Sequence, residues 1–195
     1  GSNMDLTAYM DAEMDAHAEA FAATRQMIAE PFSQLLAACV AAHGKGGKIV
    51  FFGNGGSAAD AQHLATELSV RYIKDRLPIP AISLATDTSA LTAIGNDFGF
   101  DDLFARQVEA LVGKDDVVIA ISTSGNSENV IRALSMAKDK GAVAAGFSGR
   151  DGGRMTGLAT PLIIVPCTET ARIQEMHILI GHMLCGALEK ELDLL

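Results

Sequence analysis

Apolar residues fall along this chain in two rhythms. Five short runs are apolar almost throughout: KIVFF at 48–52, AISL at 81–84, DVVIAI at 116–121, AVAAGF at 142–147 and LIIV at 162–165. Runs of that length, rich in β-branched and aromatic residues and bounded by turn residues, read as strands buried on both faces. Between them lie longer mixed stretches that read as helices: 57–70, 87–95, 101–112, 127–140 and 169–192. Ahead of the first strand, residues 5–29 carry no Gly or Pro and read as one long helix. Pro31 ends it or starts the next, which runs to about His43, where Gly44, Gly46 and Gly47 break the pattern.

Strand, turn, helix, repeated, means βαβ units and a parallel sheet covered on both faces. The expected fold class is therefore α/β. The two N-terminal helices cap the sheet or pack against a partner subunit, and the Met and Leu stripes of the first and last helices read as core or subunit interface. No repeat, linker or low-complexity segment divides the chain, so residues 4–195 are read as a single domain. Residues 1–3 (GSN), ahead of Met4, read as an expression scar.

Composition narrows the function classes. At 195 residues with 49% hydrophobic and 20% charged side chains, the chain can bury a sizeable core. Its formal net charge of −9 argues against electrostatic binding to nucleic acid. It does not argue against a phosphorylated metabolite, because helix N-termini supply local positive potential. Cys39, Cys167 and Cys185 are few and lack C-x-x-C spacing, which suits a reducing cytoplasm rather than a disulfide framework. No run is long and apolar enough to span a membrane, and no signal peptide opens the chain.

In an open parallel sheet, ligands bind beyond the carboxyl ends of the strands, and two turns there carry unusual chemistry. Gly53-Asn54-Gly55-Gly56-Ser57 follows the first strand and opens a helix, offering close backbone approach and free N–H groups. With Ala58 it also matches G-x-G-x-x-A. A dinucleotide site, however, wants an acidic residue at the end of the second strand. Asp75 lies before that strand and Asp87 beyond it. The second turn, 122–127 (STSGNS), brings the hydroxyls of Ser122, Thr123, Ser124 and Ser127 to a helix start. One N-cap explains one hydroxyl, not four; neutral donors plus a helix dipole are what phosphate binding without lysine needs. The turn is neither a P-loop nor a nucleophile elbow.

Metal chemistry is suggested on two helices. His63 and Glu67, at i and i+4, share a helix face. On the last helix, spacing alone favours Glu175 over Gln174 as companion to His182, because residues seven apart are nearly in register. Asn96 and Asp97, within GNDFGF at 95–100, read as a polar loop between helical stretches. His17, His43 and His177 are read as surface or packing histidines.

GNGGSAADAQHLATE at 53–67, AIGNDFGF at 93–100, ISTSGNS at 121–127, GRDGG at 149–153 and RIQEMHILIGH at 172–182 together resemble the phosphoheptose isomerases. The resemblance implies a sugar-isomerase (SIS) fold, doubly wound with a five-stranded parallel sheet between helices. It implies homotetramers with shared active sites, and zinc on His63, Glu67, Gln174 and His182, replacing Glu175 by Gln174. Substrate contacts would fall on Asn54, Gly55, Gly56, Ser57, Glu67, Asn96, Asp97, Ser122, Thr123, Ser124, Ser127 and Gln174. Glu67 would be the base and His182 the acid. The implied reaction converts sedoheptulose 7-phosphate to D-glycero-D-manno-heptose 7-phosphate, a precursor step for the lipopolysaccharide core. Some members carry Asp where this chain has Ala171. The competing reading is a SIS module that binds a phosphosugar and a protein partner without catalysis; such a module has no need of both Glu67 and His182.

Overall fold

The computed structural model describes residues 3–192, so residues 1 and 2 of the GSN segment lie outside the described residues. Five strands form one sheet: β1 (Ile49–Gly53), β2 (Ala81–Ser83), β3 (Val117–Ile121), β4 (Val143–Gly149) and β5 (Leu162–Val165). All neighbours are parallel, in the order β2-β1-β3-β4-β5. Seven α-helices surround it: α1 (Leu6–Arg25), α2 (Ala29–Gly44), α3 (Gly56–Ser69), α4 (Thr88–Asp97), α5 (Ala105–Leu111), α6 (Glu128–Asp139) and α7 (Thr170–Glu191).

The sheet divides the core in two because side chains alternate along a strand. Ile49 and Phe51 of β1, with Ile119, Phe147 and Ile163, pack beneath α2, α3 and α7. Val50 and Phe52, with Val118, Ala120 and Ala144, pack beneath α4, α5 and α6. β1 and β3 are buried at every position, which is why they carry no polar alternation. Helix boundaries follow local chemistry. Asp5 and Asp87 accept from the N–H groups of Ala8 and Ala90 and so cap α1 and α4. Pro31 sits in the first turn of α2, where no intrahelical donor is required.

Asn96 and Asp97 are not in a loop: they form the last turn of α4, exposed, with Asn96 Nδ2 donating to Asp97 Oδ1 at 2.9 Å. The helix continues through them because Gly99, at φ 109°, is the first residue that breaks it.

Candidate active site

The strand order reverses between β1 and β3, and there the two unusual turns meet. A cavity of about 100 Å³ is lined by Asn54 and Ser57 after β1, by Ile121 at the end of β3 and by Ser122, Thr123 and Ser127 after it. It occupies the switch point at the carboxyl ends of the strands, where doubly wound folds bind ligands. Two helices, α3 and α6, begin at its wall. Ser122 is buried; its Oγ accepts from Gly125 N–H at 3.1 Å and lies 3.4 Å from Ser127 Oγ. Ser124 is turned elsewhere, accepting from Asn126 N–H at 3.1 Å, and does not line the cavity. Gly55, at φ 55°, shapes the turn from outside the cavity lining.

Asn129 went unnoticed in the sequence. Buried on α6, it trades side-chain hydrogen bonds with Asn54 at 2.8 and 2.9 Å. The GRDGG segment supports the serine turn from behind. Gly125 has φ 70°, and a Cβ there would fall 2.1 Å from the Gly152 carbonyl oxygen. Met155 N–H donates to Gly125 O at 3.1 Å, and Arg154 N–H donates to Asn126 Oδ1 at 2.9 Å.

A second constellation lies between α3 and α7. His63, Glu67 and His182 converge, and among the described residues they are the trio of His, Cys or acidic side chains with metal-site spacing. The Nε2 atoms of His63 and His182 are 3.4 Å apart, and Glu67 Oε2 lies 3.7 and 3.5 Å from them. Tetrahedral zinc with ligands at about 2.0–2.2 Å sets ligand atoms about 3.3–3.6 Å apart. Two imidazoles and a carboxylate, two of their separations inside that range and the third 0.1 Å beyond it, fit such an ion and leave a position open. One turn earlier on α3, Asp60 buries an Oδ2 that has no hydrogen-bond partner. Burial pushes its pKa up to about 6, with the nearby His63 opposing.

Glu175 and Gln174 face different neighbours. Glu175, favoured by spacing alone, is taken: Oε1 lies 2.6 Å from His17 Nδ1 on α1, and Oε2 receives Arg172 at 2.9 Å. It turns toward α1. Gln174 turns toward α3, its Nε2 where a Cβ on Gly56 would lie 2.5 Å away. Its amide therefore sits against Gly56, at the opening of α3. Asn96 and Asp97 line neither the cavity nor the trio. Ala171 is exposed in the first turn of α7. Asp87 spends its carboxylate on capping α4, as noted, so the ribose-binding acid of a dinucleotide fold has no counterpart there.

A larger cleft of about 840 Å³ lies between α1 and the loops after β4 and β5, with Arg150, Cys167 and Arg172 in its wall. Arg172 is committed to Glu13, Glu169 and Glu175, and neither the serine turn nor the trio lines this cleft.

The SIS domain family profile matches residues 13–149. The chain is 57% identical to a phosphoheptose isomerase of Paramagnetospirillum magneticum over 186 residues, covering 95% of this chain and 97% of that one. Its structure superposes on phosphoheptose isomerases from Neisseria gonorrhoeae (TM-score 0.88, 40% identity, 95% of this chain and 99% of that one) and Francisella tularensis (TM-score 0.91, 33% identity, 96% and 100%). The chain belongs to the phosphoheptose isomerase family. It is an isomerase enzyme with the α/β SIS fold, and the non-catalytic module is set aside. Among the described residues, no helix is long and apolar enough to cross a membrane.

Proposed function

We propose that this isomerase converts sedoheptulose 7-phosphate to D-glycero-D-manno-heptose 7-phosphate, with zinc held by His63, Glu67, His182 and Gln174. The observation that carries this reading is the convergence of His63, Glu67 and His182 at 3.4–3.7 Å. The phosphate would occupy the small cavity at the switch point, held by neutral hydroxyls, the Asn54 amide and two helix N-termini. Ser57 stands in the first turn of α3, and His63 six residues further on, about 9 Å along the axis. A reacting end that far from its phosphate calls for a chain of several carbons rather than a triose.

Zinc bound there would supply a Lewis acid for the carbonyl and hydroxyl oxygens of the reacting end. Glu67 takes the proton from C1 of the ketose, and His182 gives a proton to the oxygen on C2, forming an enediol. His182 then takes the proton of the C1 hydroxyl, and Glu67 returns the carbon proton to C2, leaving the aldose and both side chains as they began. Remote binding of the phosphate holds C1 and C2 in place through both transfers.

The same reading takes the protein as a cytoplasmic homotetramer with shared sites, acting in lipopolysaccharide-core heptose synthesis. Leu6, Tyr9, Met10, Met14 and Phe21 stand exposed along α1, an apolar stripe that supports subunit contact. The deciding experiment is a coupled assay on sedoheptulose 7-phosphate with protein as purified, after chelation and after zinc is restored. Activity should vanish with the metal and return with zinc. Full activity in the chelated, zinc-free protein would overturn the zinc reading. Activity on other sugar phosphates alone would overturn the substrate.

A further inference from the structure

The segment linking α3 to β2 carries a buried ion pair with an uncommon set of partners. Arg76 Nε donates to Glu189 Oε2 at 2.9 Å, with side chains 0% and 2% exposed. Two charges withdrawn from water need every donor and acceptor occupied. Glu189 also accepts from the N–H groups of Tyr72, Ile73 and Lys74 at 3.3, 3.1 and 3.2 Å. Arg76 donates from Nη2 to the Glu67 carbonyl and from Nη1 to the Leu68 carbonyl, each at 2.7 Å. Those carbonyls belong to the last turn of α3 and lack intrahelical donors. The guanidinium thus caps α3 at Glu67 itself, and its partner sits on α7 seven residues beyond His182. One buried pair ties together the two helices that supply the trio.

The same anchoring places a ring against His182. Held at its backbone by Glu189, Tyr72 stacks on the imidazole with centroids 5.3 Å apart and planes 29° apart. His63 meets the same imidazole edge-on, centroids 4.9 Å apart and planes at 77°. The outer torsion of histidine is broad and only loosely two-fold, so the chain position of His182 does not by itself aim Nε2.

We propose that Tyr72 is a positioning residue: its ring, anchored through Glu189 and Arg76, fixes the plane of His182 so that Nε2 stays directed at Glu67 and His63. The proposal rests on reading the trio as a zinc site. Its requirement is for a flat aryl face, not for the hydroxyl.

The test compares the parent with Tyr72→Leu and Tyr72→Phe. Zinc affinity is measured by competition with a chromophoric chelator, and kcat and KM are determined separately at saturating zinc. Loss of a supporting partner weakens metal sites about 10–100-fold. Tyr72→Leu should therefore lose about 10-fold or more in zinc affinity and lower kcat, with KM within about twofold; Tyr72→Phe should restore both within about twofold. Tyr72 is half-buried and its anchor is a backbone N–H, so the fold should survive. If Tyr72→Leu does not fold, Tyr72→Met makes the same comparison without a ring. A parent that binds no zinc would overturn the site reading and the positioning role with it. A parent that binds zinc, with Tyr72→Leu matching it in affinity and kcat, would overturn the Tyr72 proposal alone. So would a Tyr72→Phe variant as impaired as Tyr72→Leu.

Discussion

Asn54 and Asn129 clasp each other through both side-chain hydrogen bonds, at 2.8 and 2.9 Å, across the boundary between β1 and β3. Each amide spends a donor and an acceptor on the other, so the glycine turn and the first turn of α6 are fixed relative to one another. Asn54 lines the proposed phosphate cavity and Asn129 stands behind it. Asn129→Ala leaves the Asn54 amide unpaired at a cost of about 1–3 kcal/mol. KM for the sugar phosphate should rise about 10-fold, with kcat changed less, the pattern of lost uniform binding. Steady-state kinetics decide it; an unchanged KM would detach Asn54 from the substrate.

Gly125 tests the serine turn by a different route. Its φ of 70° and the 2.1 Å approach of a Cβ to the Gly152 carbonyl leave no room for a side chain. Gly125→Ala must move the GRDGG segment or twist the turn, so a loss of about 2–4 kcal/mol is expected, beyond the strain of positive φ alone. Urea denaturation measures it. Because Ser122 Oγ accepts from the Gly125 N–H, inorganic phosphate should also protect this variant less against thermal unfolding than it protects the parent.

The strands and their order of helices were legible because a buried parallel sheet writes itself as apolar runs, and the turns because glycines and hydroxyls cluster at strand ends. Less legible was anything that depends on which way a helix faces. Spacing favoured Glu175 over Gln174, since residues seven apart lie nearly in register. The structure turns Glu175 to His17 on α1, a helix more than 150 residues away in sequence. Asn96 and Asp97, polar residues just past the predicted helix 87–95, looked like a loop, yet α4 runs on through both of them. Asn129 and Tyr72 left no local signal: each matters through a partner brought near by tertiary packing, Asn54 in one case and His182 in the other. The pair Arg76 and Glu189 is separated by 113 residues, and its burial follows from how α7 crosses α3.

His177 supplies a pH dependence. It is fully buried on α7, with Nε2 2.8 Å from the Ser148 carbonyl and Nδ1 without a partner. Burial pushes its pKa down from 6.5 to about 4, against the hydrogen bond to Ser148. The unfolded chain therefore binds this proton near pH 6.5, and the folded protein only near pH 4. The stability it contributes is present above pH 6.5 and is lost as pH falls to about 4, roughly 3 kcal/mol at about 1.4 kcal/mol per unit. Denaturation at pH 7 and pH 4.5 should show a steeper acid loss in the parent than in His177→Gln. Equal slopes would mean the histidine is not its source.

Glu67 carries the sharpest prediction for the chemistry. Its side chain is 21% exposed and reaches both imidazoles of the trio, while the backbone carbonyl of the same residue is fixed by Arg76. Glu67→Gln keeps the volume and an oxygen that can still ligate, but it removes the proton acceptor. A positioned base contributes about 10²–10⁴-fold, so kcat should fall by that factor while sugar-phosphate binding is largely retained. Bound zinc must be measured in the same samples, because a weaker ligand could lower activity by losing the metal. Exchange of the C1 hydrogen with deuterated solvent separates the two causes: a base variant that retains zinc should lose exchange along with turnover. If zinc is retained and C1 exchange continues at the parental rate, the carbon proton is moved by another group, and Glu67 is left as a ligand.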